Sequence, residues 1–241
     1  MKTLSLCKTV VFFAFALTTM VLFSSCGKDE LQKAADNDYY PLAVGYVWDY
    51  YEETTTGVID TLRYEVTAFE TVAFGNGVGD KEVYVIDNTF PDTVTTEWRR
   101  QYYFDNGVRV DRLQHDIYAN AAALKKSRQY VPGFFRFDRS RLAAGDEWTE
   151  SITRYDTIGT ATASEAAEYH FLVSSVTATV TLKDGTVLKD CIEINRTNLS
   201  NGETKVYSFA AGIGKVMEIT TGGTSNEKTE LLMAVPDWVT K

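Results

Sequence analysis

Few residues in this chain combine the types and spacing that bond-making chemistry needs. His115 and His170 are the two histidines among 241 residues, and no His-x-x-x-His or Cys-x-x-Cys pair occurs. A zinc centre needs several such ligands converging, so no metal and no other cofactor is expected. His115 adjoins Asp116 and reads as an exposed polar residue; His170, in Glu168-Tyr169-His170-Phe171, reads as a strand residue. The nucleophile motif Gly-x-Ser-x-Gly and the phosphate-cradling Gly-x-x-x-x-Gly-Lys are absent. Carboxylates are plentiful: Asp146, Glu147 and Glu150 cluster beside Trp148, and Glu52 and Glu53 follow Trp48. Two acids facing one another across a cleft could hydrolyse a glycoside, but solvated strand faces are the simpler reading. Asp36-Asn37-Asp38 lacks the glycine and distal glutamate of an EF-hand loop. The middle of the chain is rich in arginine: Arg99, Arg100, Arg109, Arg112, Arg128, Arg136, Arg139 and Arg141. These could bind anionic glycan or lipid headgroups, or balance nearby acids.

The remaining reactive candidate is Cys26. Lys2 and Lys8 precede an apolar run from Thr9 to Phe23, which ends in Ser24-Ser25-Cys26. The run is too short for a comfortable membrane span and fits a secretory signal peptide. The small-small-Cys ending resembles a bacterial lipobox, in which the signal is cut before the cysteine and the thiol acylated, for instance with palmitate. Phe23 departs from the usual aliphatic residue three before the cysteine. The expected organisation is a signal peptide over 1–25, a lipidated polar tether over 26–38 and one folded domain over 39–241. Lys28-Asp29-Glu30 resembles the short signal after the acylated cysteine of surface-exported lipoproteins, which places the protein at the outer membrane, either inward-facing or on the surface.

Without residues 1–25 the chain has 22 Lys and Arg against 33 Asp and Glu, a net charge of −11. That balance disfavours nucleic acid as a partner, since phosphates require a basic face. Cys7 leaves with the signal and Cys26 would carry lipid, so Cys191 has no intramolecular disulfide partner. In the strand-like run Asp190-Cys191-Ile192-Glu193-Ile194 it reads as core packing.

Fourteen Tyr, thirteen Phe and four Trp favour a β fold. Val176, Ala178, Val180 and Leu182 alternate with Thr177, Thr179 and Thr181, then turn through Lys183-Asp184-Gly185 into Val187–Asn195. This is period-two alternation closed by a hairpin turn. Similar signals elsewhere predict about ten strands in an antiparallel meander, all-β, forming a curled sheet or an open or closed barrel. The stretch 117–128, rich in Ala, Leu and Lys, is the one candidate for a short helix.

An internal echo runs through this pattern. Leu42-x-x-Gly45-x-x-Trp48 recurs as Leu142-x-x-Gly145-x-x-Trp148, and Tyr102-x-Phe104-x-x-Gly107-Val108 as Tyr207-x-Phe209-x-x-Gly212-Ile213. Val83-x-Val85 matches Ile192-x-Ile194, and Val66 matches Val173, in the same order. Two similar halves, about 39–114 and 137–235, account for it. Leu42, Gly45, Trp48, Leu142, Gly145, Trp148, Gly212 and Gly214 are then structural anchors: glycine permits the tight backbone that starts a strand, and tryptophan buries a large ring after it.

Tyr39-Tyr40-Pro41-Leu42 with Gly45 and Trp48 after a lipobox leader, and Gly212-Ile213-Gly214-Lys215-Val216 near the end, resemble a group of uncharacterised β-rich Bacteroidetes-type lipoproteins. The resemblance implies an antiparallel sheet curled into a barrel, similar to the LolA-like open barrel, and no reaction. The reading that follows is a lipid-anchored envelope protein, more a binding or carrier module for an apolar ligand than an enzyme. The alternatives are a surface module that recognises a protein or glycan through Tyr50, Tyr51, Tyr102 and Tyr103, and a carboxylate-based hydrolase.

Overall fold

A computed structural model describes residues 38–55, 57–90, 97–119, 123–223 and 227–239. The leader, Cys26 and the tether up to residue 37 lie outside the described residues. The described chain forms twelve strands: β1 (Val47–Thr54), β2 (Gly57–Phe74), β3 (Gly79–Thr89), β4 (Glu97–Asp105), β5 (Arg109–Ala119), β6 (Ala123–Asp138), β7 (Glu147–Ile158), β8 (Ala161–Thr181), β9 (Val187–Asn198), β10 (Thr204–Ala210), β11 (Gly214–Thr221) and β12 (Lys228–Leu232). Each pairs antiparallel with its neighbours in sequence, and β1 closes the barrel onto β12, with Tyr50 opposite Leu232.

The sheet is therefore closed rather than open, with two more strands than expected. The helix expected over 117–128 does not form: Asp116, Ile117 and Tyr118 of β5 pair with Ser127, Lys126 and Leu124 of β6. Ala, Leu and Lys favour helix by a few tenths of a kcal/mol each. Pairing with β4 and β6 on either side satisfies the backbone of β5 and overrides that preference.

Alternation decides which side chains turn inward. On β9, Ile192, Ile194 and Arg196 are buried; on β12, Glu230 and Leu232; on β1, Trp48 and Tyr50. In the β8–β9 hairpin, Val180 and Leu182 are buried as the pattern requires, and the Gly185 amide donates to the Leu182 carbonyl at 3.0 Å. The aromatic core gathers around Phe137, Phe171, Phe209 and Val173, with Cys191 fully buried among them. Burial pushes the Cys191 thiol pKa up, so it packs as a small apolar residue.

The echoed turns are alike in detail. Gly45 and Gly145 have φ of 89° and 93°. Their amides donate to the carbonyls of Val66 (2.8 Å) and Val173 (2.9 Å), while the Val66 and Val173 amides donate back to Tyr46 (2.9 Å) and Asp146 (2.8 Å). The matched residues fall on strands six apart: Val66 on β2 and Val173 on β8, Val83 on β3 and Ile192 on β9. The Tyr–Phe echo diverges in packing. Tyr102 and Phe104 join a satellite cluster with Phe74, whereas Tyr207 and Phe209 belong to the main core.

The outward face carries ion pairs such as Arg63–Asp49 at 2.8 Å, Arg100–Asp87 at 2.7 Å and the Arg154–Glu165 contact.

Candidate functional site

The N-terminal segment before β1 folds against one end of the barrel. Tyr40 stacks on Phe137 (6.2 Å between centroids) and leans on Tyr103 and Phe209, and the Gly212 amide donates to the Asp38 carbonyl at 2.8 Å. Beside this plug the Trp48 indole N–H donates to the Ile213 carbonyl at 2.7 Å, and the Trp238 ring stacks on Tyr46 at 3.8 Å. Gly214, with φ of 102°, packs against Pro41 and Trp48. Leu42 and Leu142 lean on the main core; Trp148 stacks on Phe171 (5.1 Å, 9° between planes) and donates to Glu150.

Within the barrel lies a cavity of about 180 Å³, lined by rings including Tyr40, Trp48, Phe135 and Phe209 and by a set of charged groups. That is room for an organic molecule, well beyond a single buried water. Apart from Arg196, which pairs with Glu203, the charged groups divide into two sets.

The first set is balanced. Glu218 on β11 contacts Lys205 of β10 and lies 2.8 Å from Lys215; Glu230 on β12 takes Lys215 and Lys228 at 2.9 Å each, and Lys228 reaches Glu52 at 2.8 Å. Burial alone would raise the pKa of Glu218 and Glu230, but the lysines reverse it and hold both below the ordinary carboxylate range. Burial would likewise lower the Lys215 pKa, and Glu218 and Glu230 raise it well above that of ordinary lysine. Carboxylates held ionised in this way are poor proton donors at neutral pH.

The second set is not balanced. Arg99 and Gln101 of β4, Arg112 and His115 of β5 and Arg136 of β6 all line the cavity. Register brings them together: Gln101 sits opposite His115 and Tyr103 opposite Arg112. Arg112 donates to Gln101 (3.0 Å) and to the Tyr130 hydroxyl (2.8 Å). His115 is partly buried and cavity-facing rather than exposed, because a bulge between Arg112 and Gln114 turns it inward. Burial first, then Arg112, Arg99, Arg128 and Arg136, lower its pKa to about 2 and keep the imidazole neutral.

The other candidates disperse. Asp146 caps the Ala143 amide at 2.9 Å, Glu150 clamps Arg109, and Glu147 lies 3.5 Å from His170. None faces a second acid across the cavity. Tyr50 and Tyr103, offered as surface contacts, are buried with 3% exposure each and point into the barrel. Tyr51 lies beneath Lys183, 3.7 Å from its ring centroid, and Tyr102 packs on Phe74. Among the described residues no cluster of His, Cys, Asp and Glu gathers in a metal-binding group.

No family model matches the sequence, and no curated protein does. Two crystal structures resemble the chain at 14% identity. One is a candidate exported protein of YmcC-like fold from Bacteroides fragilis NCTC 9343 (82% of this chain, 98% of that one, TM-score 0.48). The other is a candidate lipoprotein from Parabacteroides distasonis ATCC 8503 (83% and 98%, TM-score 0.38).

Proposed function

We propose that the chain is a non-catalytic binding module that takes a small, partly apolar ligand into its barrel, tethered to the envelope outer membrane by lipid on Cys26. The cavity carries the reading: its aromatic lining can hold an apolar body, and the groups opposite can select a polar end. Glu218 and Glu230, the two carboxylates in that lining, are both committed to lysines. A binding role asks nothing more of them than to hold the wall.

Native mass spectrometry of the protein purified without detergent tests the ligand. A co-purifying mass that organic extraction removes is the expected result; a bare protein mass together with no uptake of added amphiphiles would reject a binding role. The tether has its own test. Cys26→Ser is expected either to accumulate with its leader uncut or to lose its tether and leave the detergent phase on partitioning, and normal processing with unchanged partitioning would rule out acylation at this thiol.

A further inference from the structure

Resting on the reading of the barrel as a binding module, we infer that its ligand carries an oxyanion — a carboxylate, phosphate or sulfate group — gripped by Arg99, Arg112 and Arg136. The eight arginines between positions 99 and 141 sort by partner. Arg100 pairs with Asp87, Arg109 with Asp111 and Glu150, Arg128 with Asp156, Arg139 with Asp38 and Asp105, and Arg141 with Asp138. The remaining three are the ones that line the cavity, and among the described residues none of them meets a carboxylate.

Their environment prepares them for an anion. The Nε atoms of Arg99, Arg112 and Arg136 are each buried without a hydrogen-bond partner, as are His115 Nε2 and, on β3 opposite Arg99, Asn88 Oδ1. Aromatic faces hold the guanidinium planes from behind: Phe90 for Arg99 (5.4 Å), Tyr130 and Phe134 for Arg112 (4.9 and 5.3 Å), Tyr103 and Phe134 for Arg136 (5.5 Å each). Rings hold the planes but accept nothing from the Nε–H of the three arginines, and these open donors suit an oxyanion. The potential is strong enough to be felt by a neighbour. Burial alone would raise the pKa of Tyr130, yet Arg112, Arg128 and Arg136 bring it below the ordinary tyrosine value. Nearby lysines do not need the same counter-charge, because Glu218, Glu230 and Glu52 already supply theirs. Three clustered cations with no carboxylate in contact are costly, and an anionic ligand lowers that cost on binding.

Calorimetry with naphthalene-2-sulfonate and its neutral relative naphthalene-2-sulfonamide, of nearly the same shape, tests the inference. The sulfonate is expected to bind the wild-type protein about tenfold more tightly or better, the scale of a charge-assisted hydrogen bond. Arg136→Met, and independently Arg99→Met on β4, should erase most of that preference by weakening the sulfonate far more than the sulfonamide. Both variants should melt at or above the wild-type temperature, because each removes an unpaired charge; melting well below it would mark a structural arginine and count against the site. Equal binding of the two probes would overturn the oxyanion inference while leaving the binding module standing. Binding of neither would count against both. Inorganic phosphate separates the sources: binding as tight as the sulfonate's points to a free ion, and much weaker binding to an organic anion.

Discussion

Glu218→Gln is expected to destabilise the barrel by about 3 kcal/mol or more, the scale of removing one member of a buried ion pair. The loss is not that of one favourable contact. Lys205 and Lys215 both lean on Glu218, and its removal leaves three interior lysines beside Glu230 and Glu52 alone. The companion variant Lys215→Met should also destabilise, since it leaves Glu218 and Glu230 paired across adjacent strands without their shared cation. Combining the two should recover a large part of either loss, because charge is then removed from both sides. Chemical denaturation of the four proteins provides the cycle, and strictly additive losses would show that the network does not act as a unit.

Acid should weaken the fold before Glu218 and Glu230 are protonated. His115 stays neutral in the folded protein, its pKa lowered to about 2 by burial and by Arg112, Arg99, Arg128 and Arg136. The unfolded chain binds that proton near pH 6.5, so below 6.5 protons favour unfolding. Stability should fall by about 1.4 kcal/mol per pH unit, reaching about 2.7 kcal/mol at pH 4.5. Glu218 and Glu230 have folded pKa values below the ordinary range, so their contribution is intact above about 4.5 and is lost only at lower pH. The window from 6.5 to 4.5 therefore separates the histidine from these two glutamates. His115→Gln should flatten the slope there, and a variant with the wild-type slope would show that His115 is not the sensor.

The sequence carried the architecture better than the site. Alternation in Val176–Leu182 and the paired glycine turns at Gly45 and Gly145 are local signals, and local signals survive folding. The stretch 117–128 failed because helix propensity is weak beside a strand on either side. Period two also mixed what the barrel separates. Arg99 and Arg100 are neighbours in sequence, yet one points into the cavity and the other pairs with Asp87 outside. An arginine-rich stretch could be seen in advance, but not which three arginines would lack acids. That depends on register across β4, β5 and β6 and on the bulge before Gln114, neither of which a single strand encodes. Glu218 and Glu230 drew no notice for the same reason: each looks like one more exposed acid until the lysines around it are known.

Closure of the ring has a consequence in time. Every other strand can pair as soon as its sequence neighbour is made, but β1 must wait for β12, from the opposite end of the chain. Until Leu232 arrives beside Tyr50, the growing sheet has two bare edges, and the aromatic interior stays open along the seam. A barrel built this way closes last at the seam between β1 and β12, after the strands between them have paired. The seam is then latched by Trp238, which stacks on Tyr46 and donates to the Val47 carbonyl at 3.0 Å. The segment after β12 thus holds the seam once it has closed.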